Sequence, residues 1–255
     1  MALWRLKWIA GQIGTPARHG AALESPWKYW AAVALKVVNG LYPFTITLKL
    51  KHGGAVNVRH FMTLYIYKEI FVDGCYDVIL PPNPVILNVG ANTGLFDLRM
   101  KQLYPNATIH SYEPMPEMFR QLQETTRDLA GVQLFQEAVS DRSGSAKLYV
   151  HSRNIGGHSL YANQTDGTGR SVDVRLVALA DAVGRLGKID LMKLDCEGAE
   201  FPIIMAMGTE TPIGQVVWEP TPSIYDPKIL RKHLEDIGYE VSAKTAGTML
   251  ACRPS

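Results

Sequence analysis

One stretch limits what this chain can fold into more than any other. Val85-Ile86-Leu87 is a short apolar run, Gly90-Ala91-Asn92-Thr93-Gly94 a glycine-bracketed turn, and Leu95-Phe96-Asp97-Leu98 the opening of a helix. Strand, glycine turn and helix, in that order, is how an open α/β sheet receives a nucleotide-like ligand. Glycine lets the backbone approach the ligand, and a helix start offers unpaired N–H groups. The turn is neither the G-x-G-x-x-G of dinucleotide binders nor a P-loop. Asn92 stands where a dinucleotide fingerprint has its second glycine, and no second mononucleotide half precedes a separate substrate domain.

Downstream, strand and helix patterns alternate as in a βαβ sheet. Strands are expected at 108–112, 132–135, 189–194, 215–218, 239–242 and 249–252, and helices at 96–103, 117–129, 177–186, 199–207 and 227–237. Two further strands, 147–150 and 171–174, flank a loop from Ser152 to Arg170 that is long enough to be a lid or binding element. Upstream lies an N-terminal helix and hairpin extension, 1–60, ahead of the α/β domain, 61–255. Leu3, Trp4, Leu6, Trp8, Ile9 and Ile13, interleaved with Arg5 and Lys7, read as a short amphipathic helix. It is expected on the protein body or a partner subunit, with peripheral membrane contact as the other use. Residues 11–20 read as a linker. Ser25-Pro26 opens a second helix whose apolar stripe is Trp27, Trp30, Ala31, Ala34, Leu35 and Val38, ended by Asn39-Gly40. Phe44 to Leu50 alternates as a half-buried strand, Ala55 to Arg59 returns as its hairpin partner, and a helix follows at about Thr63 to Phe71.

Bulk properties narrow the partners. The 255 residues suffice for one large domain with an extension, and a formal net charge of +2 gives no reason to expect nucleic acid. Cys75, Cys196 and Cys252 are odd in number and lack Cys-x-x-Cys spacing, so neither a disulfide framework nor a zinc knuckle is expected. No apolar run reaches membrane-span length, and Arg5 and Lys7 interrupt the one candidate signal-peptide core. Cytoplasmic residence is the expectation.

Two acidic features sit where such sheets bind ligands. Ser111-Tyr112-Glu113-Pro114 puts Glu113 at the tip of the second strand, where an acid reaches the hydroxyls of a ribose. Asp190 to Leu194 runs into Asp195-Cys196-Glu197-Gly198-Ala199-Glu200, placing Asp195, Glu197 and Glu200 where strand becomes helix. Such carboxylates can stabilise a cationic cofactor, bind a divalent metal or take a proton from a hydroxyl. In the first helical turn, Glu200 also suits the helix dipole.

Asn88-Val-Gly-Ala-Asn-Thr-Gly94, Tyr112-Glu-Pro114, Ala138-Val-Ser-Asp-Arg-Ser-Gly144, His158-Ser-Leu160 and Lys193-Leu-Asp-Cys-Glu-Gly-Ala-Glu200 occur in that order. Together they resemble the FkbM family of S-adenosylmethionine-dependent methyltransferases, over about residues 60 to 220. The resemblance implies a Rossmann-like class I methyltransferase fold, with a mostly parallel seven-stranded sheet and flanking helices. It also implies methyl transfer to a hydroxyl of a sugar, glycoconjugate or secondary metabolite. Carried onto this chain, Gly90, Asn92 and Gly94 line the methionine and ribose side of the cofactor, Glu113 holds the ribose diol, and Ala138 and Val139 flank the adenine. Asn88 departs from the family's usual aspartate but can still accept hydrogen bonds from the loop or the cofactor's amino group. Asp195 is expected on both the cofactor and the catalytic side. Candidate bases for the hydroxyl proton are Asp195, Glu197, His158 and Glu219, the last in Trp218-Glu219-Pro220. No metal ligands are assigned, and a divalent metal on Asp195 and Glu219 stays open. An NAD-dependent oxidoreductase and a non-catalytic cofactor-binding scaffold are the alternatives. A homo-oligomer through the N-terminal helices is open as a partner arrangement.

Overall fold

The computed structural model describes residues 3–12, 16–37, 42–151, 156–165 and 169–254. Packing divides the chain into two compact units, Met1–Gly74 and Cys75–Ser255.

The first unit holds α1 (Leu3–Gln12), α2 (Pro16–Gly20), α3 (Trp27–Lys36), the hairpin β1 (Ile46–Lys49) and β2 (Ala55–Val58), and α4 (Phe61–Tyr67), which runs on into a π-helical turn at Lys68–Val72. The stretch 11–20, expected to be a linker, contains α2; its His19 is buried and packs on the rings of Tyr29 and Trp30. Helix α3 starts one residue later than expected, with Pro26 rather than Ser25 as its cap residue. Its buried face also differs from the expected stripe. Tyr29, Ala32, Val33 and Lys36 point inward, whereas Trp27 is 67% and Leu35 37% exposed. The reason is local chemistry rather than hydropathy. Tyr29 packs its ring against His19 and Tyr67, and the Lys36 ammonium donates to the carbonyls of Tyr42 and Phe44 at 2.9 and 2.7 Å. Val38 and Asn39-Gly40 lie outside the described residues. Similarly, Arg5 is buried, donating to the Val37 carbonyl at 2.9 Å with its guanidinium over the Phe61 ring, so α1 does not present it to solvent. Because Phe61 and Tyr67 pack on Trp8 and Tyr29, the helix expected to open the second domain belongs to the first unit.

The second unit runs β3 (Val85–Val89), α5 (Leu95–Leu103), β4 (Thr108–Tyr112), α6 (Pro116–Thr126), β5 (Val132–Phe135), β6 (Ala138–Ser140), β7 (Gly144–Tyr149), β8 (Ser171–Ala178), α7 (Leu179–Gly184), β9 (Ile189–Leu194), α8 (Glu200–Met205), β10 (Ile213–Trp218), α9 (Pro227–Asp236), β11 (Glu240–Ala243) and β12 (Met249–Cys252). Seven strands form one sheet in the order β11-β12-β10-β9-β3-β4-β5; β10 through β5 are parallel and β12 is antiparallel to both its neighbours. This is a mostly parallel Rossmann-like sheet. Strands β3, β9 and β10 read as near-continuous apolar runs because helices cover both faces, and Leu87, Val89, Met192, Leu194, Val216 and Trp218 form the core.

A smaller sheet, β6-β8-β7, accounts for the two extra strands expected from the sequence and adds a third at Ala138–Ser140. Strand β8 continues to Ala178, so the helix expected from Val177 begins at Leu179: Leu176 and Val177 are held by pairing with Ala138 and Val139. Among the described residues, no helix is long and apolar enough to cross a membrane.

Candidate active site

Sheet register puts the candidate residues in a row. Val89 pairs with Tyr112 on one side and Leu194 on the other, and Leu194 pairs with Trp218. The next residue on each strand therefore falls on one edge, in the spatial order Glu219, Asp195, Gly90, Glu113. This is the carboxyl edge of the strands, and the chain reverses direction across the sheet between β3 and β9. Open α/β sheets bind ligands at such a switch point.

The turn after β3 is tightly specified. Gly90, Asn92 and Gly94 have φ of 75°, 50° and 85°, in the left-handed region. At Gly90 a Cβ would lie 1.9 Å from the Asp195 carbonyl oxygen, so only glycine lets these two strand ends meet. The turn's donors are turned inward. Gly90 and Ala91 N–H both donate to the Tyr112 carbonyl, Asn92 N–H to Glu113 Oε2, Thr93 N–H to Asn92 Oδ1, and Gly94 N–H to the Ala91 carbonyl. The turn itself therefore has no free N–H group among these five; the expectation of unpaired donors concerns the helix start that follows at Leu95. A pyrophosphate cradle needs free N–H groups aimed at the ligand, and these five have internal acceptors.

What the edge offers instead is acceptors. Glu113 is buried and takes one backbone N–H on each oxygen, from Asn92 at 2.9 Å and Met115 at 2.8 Å. Each oxygen keeps a second lone pair, which suits a diol. Burial pushes its carboxyl up to about 7, against the opposing pull of those two N–H bonds and Lys193. Asn88 donates from Nδ2 to Asp97 at 2.7 Å, and its Oδ1 is buried without a partner. Asp97 also accepts from Ser111 at 2.8 Å, tying β3, β4 and α5 together beneath the turn; desolvation raises it to about 6. Ala138 and Val139 are buried side by side on β6, Ala138 against Met115 and Met118. A carboxylate, an orphaned carbonyl acceptor and an apolar floor fit a ligand with hydroxyl and amino donors, such as the adenosyl and amino groups of S-adenosylmethionine.

Beyond Gly90 the edge is acidic. The Tyr76 hydroxyl donates to Asp195 Oδ2 at 3.1 Å and stands 3.5 Å from Glu219 Oε2. Lys193, almost fully buried, reaches the Gly90 carbonyl at 2.7 Å and Asp195 Oδ2 at 3.3 Å, with its ammonium over the Tyr76 ring. Desolvation, reinforced by the Asp195 charge, lifts Glu219 to about 7 and Glu197 to about 8. Glu197 is also held at φ 51°. Glu200 is engaged structurally, accepting the N–H groups of Cys196 and Gly198, each at 2.7 Å, so it fastens the turn between β9 and α8. His158 is engaged elsewhere. Its Nδ1 accepts the His151 N–H at 3.1 Å, burial lowers its pKa, and the charges acting on it are Glu117 and His151. The structure thus brings Asp195, Glu197 and Glu219 together and does not bring His158 into that group. Among the described residues no cluster of three or more His, Cys, Asp or Glu is arranged to hold a metal ion.

Residues 88–241 match the family model described as "Methyltransferase FkbM domain". The chain belongs to the FkbM methyltransferase family. It is 34% identical over 221 residues to Methyltransferase sdnD of Sordaria araneosa, covering 71% of this chain and 84% of the relative. It is 29% identical over 192 residues to 31-O-demethyl-FK506 methyltransferase FkbM of Streptomyces tacrolimicus, covering 62% and 74%. The fold is similar to the crystal structure of methyltransferase FkbM from Methylobacillus flagellatus KT, with a TM-score of 0.50 at 10% identity, covering 96% of this chain and 59% of that one. Membership makes this an S-adenosylmethionine-dependent methyltransferase and sets the nicotinamide alternative aside.

Three residues at this candidate site are not readily legible in the sequence. Lys193 had a signal, as the one cation inside an apolar strand that packs on both faces. Asp97 had a weaker one, an acid on the inner side of a helix's first turn. Tyr76 had none, because it enters the edge from the segment preceding β3.

The raised carboxyls make stability depend on pH in a definite direction. Glu113, Glu197, Glu219 and Asp97 all hold their protons more tightly folded than unfolded, so the folded state loses stability as pH rises toward their folded values. His110 and His158, shifted down by burial, act oppositely, but only below their ordinary value of 6.5. Between about pH 6.5 and 8.5 these carboxyls set the direction among the shifted groups of the described residues. The ligand-free melting temperature should therefore fall across that window in a calorimetric series; a flat or rising profile would contradict the buried protonated acids.

Proposed function

We propose that this methyltransferase moves the methyl group of S-adenosylmethionine to a hydroxyl oxygen of a neutral small molecule, such as a sugar, glycoconjugate or secondary metabolite. The observation carrying this reading is the Asp195–Tyr76–Glu219 arrangement, which holds one carboxyl near neutrality beside the Gly90 turn. The bound cofactor supplies an electrophilic methyl on a sulfonium. Glu113 and Asn88 hold its adenosyl and amino groups by accepting hydrogen bonds, and Ala138 and Val139 flank the adenine. Asp195 sits on the cofactor side, its carbonyl against Gly90 and its carboxylate fixed by Tyr76 and Lys193. Glu219 accepts the hydroxyl proton as the oxygen attacks in line, a role suited by a pKa near the working pH. Glu197, mostly protonated at neutral pH, donates a hydrogen bond to the acceptor.

Acceptor selection falls to the segment 156–165 and the turn 219–226. Ser159 Oγ donates to the Glu197 carbonyl at 2.6 Å and Ser223 Oγ to Gln164 Oε1 at 2.6 Å, so each is fastened to the edge or to the other. A transferring oxygen agrees with the name of the relative that methylates at the 31-O position. The test has two parts. S-adenosylhomocysteine should raise the melting temperature and NADH should not. With methyl-¹³C-labelled cofactor and a panel of polyols and sugars, the label should appear at a methoxy shift. Label on nitrogen or carbon would refute the oxygen assignment, and cofactor binding without transfer to any acceptor would favour the scaffold reading.

A further inference from the structure

We infer that the unit Met1–Gly74 docks this enzyme peripherally on an anionic lipid surface, through the outward side of α3 and the Phe44 segment fastened to it. The proposal is independent of the chemistry assigned to the carboxyl edge.

Hydrophobic exposure is the first observation. Trp27, Ala31 and Leu35 follow one another at four-residue spacing along one side of α3, a distance of roughly 12 Å. The inner side is already filled by Tyr29, Ala32, Val33 and Lys36, so this apolar stripe is left outside, with Trp27 67% and Leu35 37% exposed. Phe44 is 68% exposed, and its backbone is fastened to the last turn of the same helix by the Lys36 ammonium at 2.7 Å. A tryptophan and a phenylalanine held open to water near one helix cost solvation that a bilayer's interfacial zone relieves, and that zone favours aromatic side chains.

Charge is the second observation. The first 74 residues carry nine Lys and Arg against three Asp and Glu, whereas the remaining residues carry seventeen against twenty-one. The near-neutral whole thus hides a basic unit joined to an acidic one. Lys7, Arg18, Lys49 and Lys51 are exposed, and Glu24 is the exposed acid among the described residues of the unit. Basic residues on the unit that carries the exposed aromatics complement an anionic bilayer, where each cation near the surface adds attraction that salt weakens. The same charge argues against a second copy of this chain on the face, because a self-complementary interface would bring two units of like net charge together.

The test uses the full chain with phosphatidylcholine vesicles, with and without phosphatidylglycerol. Co-sedimentation is expected with the anionic vesicles only, and elevated salt should release the protein. Replacing both exposed aromatics, Trp27→Ser with Phe44→Ser, should lower vesicle partitioning by roughly tenfold or more with the melting temperature unchanged, as should Lys49→Glu with Lys51→Glu. Three results would overturn the proposal: no anionic-vesicle binding at low salt, binding insensitive to both double variants, or a Trp27-dependent dimer in light scattering that binds no vesicles.

Discussion

Glu219→Gln should bind S-adenosylhomocysteine within about threefold of the unaltered enzyme, yet lose methyl transfer by roughly 10²–10⁴. The substitution keeps the shape of the side chain and removes only its capacity to take a proton. It leaves the Gly90 turn, Glu113 and Asn88 untouched, so the loss should fall on kcat rather than on cofactor affinity. The pH profile adds a signature that a packing defect would not produce. Turnover in the unaltered enzyme should rise with pH to a midpoint near 7, where Glu219 gives up its proton. Tyr76→Phe removes a hydrogen bond that holds the Glu219 pKa down, so the midpoint should move to higher pH. If Glu219→Gln retained its turnover, the proton acceptor would have to be sought at Glu197 or Asp195.

The second large effect is expected at Gly90. Gly90→Ala places a methyl 1.9 Å from the Asp195 carbonyl oxygen on a backbone with φ 75°. The left-handed conformation alone costs a side chain about 1–2 kcal/mol, and the collision is with backbone, which cannot rotate aside. β3 and β9 would have to separate where the glycine turn begins. Gly187 provides the control: its φ is 77°, and a Cβ there meets nothing within 4 Å. Gly187→Ala should therefore lose only the conformational part, roughly 2–8 °C in melting temperature for a domain of this size. Gly90→Ala should lose more, together with the stabilisation given by S-adenosylhomocysteine. Equal losses at the two sites would show that strand contact at Gly90 is unimportant.

Legibility in the sequence followed the physics of each element. The parallel strands were readable because burial on both faces leaves apolar runs such as Val85–Leu87 and Val216–Trp218 with little else to become. Positions along the carboxyl edge followed, since Glu113, Asp195 and Glu219 each stand one residue past the end of a parallel strand. The α3 face was not readable. Its stripe obeys the helical period, but the inward side was decided by an aromatic cluster around Tyr29 and by carbonyls that Lys36 finds only in three dimensions. Nor was the role of Tyr76, which depends on a contact across 119 positions of chain. His158 could be placed by motif but not by neighbours, and the structure surrounds it with Glu117 and His151.

If the turn from Gly90 to Gly94 receives the cofactor as proposed, it has one consequence for how the enzyme meets it. Because its five N–H groups have acceptors within the protein, the turn completes its hydrogen bonding when the chain folds. Its conformational freedom is surrendered then, so little ordering remains for the binding event to bring about. On the proposed reading, discrimination between adenosine-bearing ligands is consequently exercised by a surface fixed beforehand, whose turn N–H groups are already spent, rather than by closing around the right molecule.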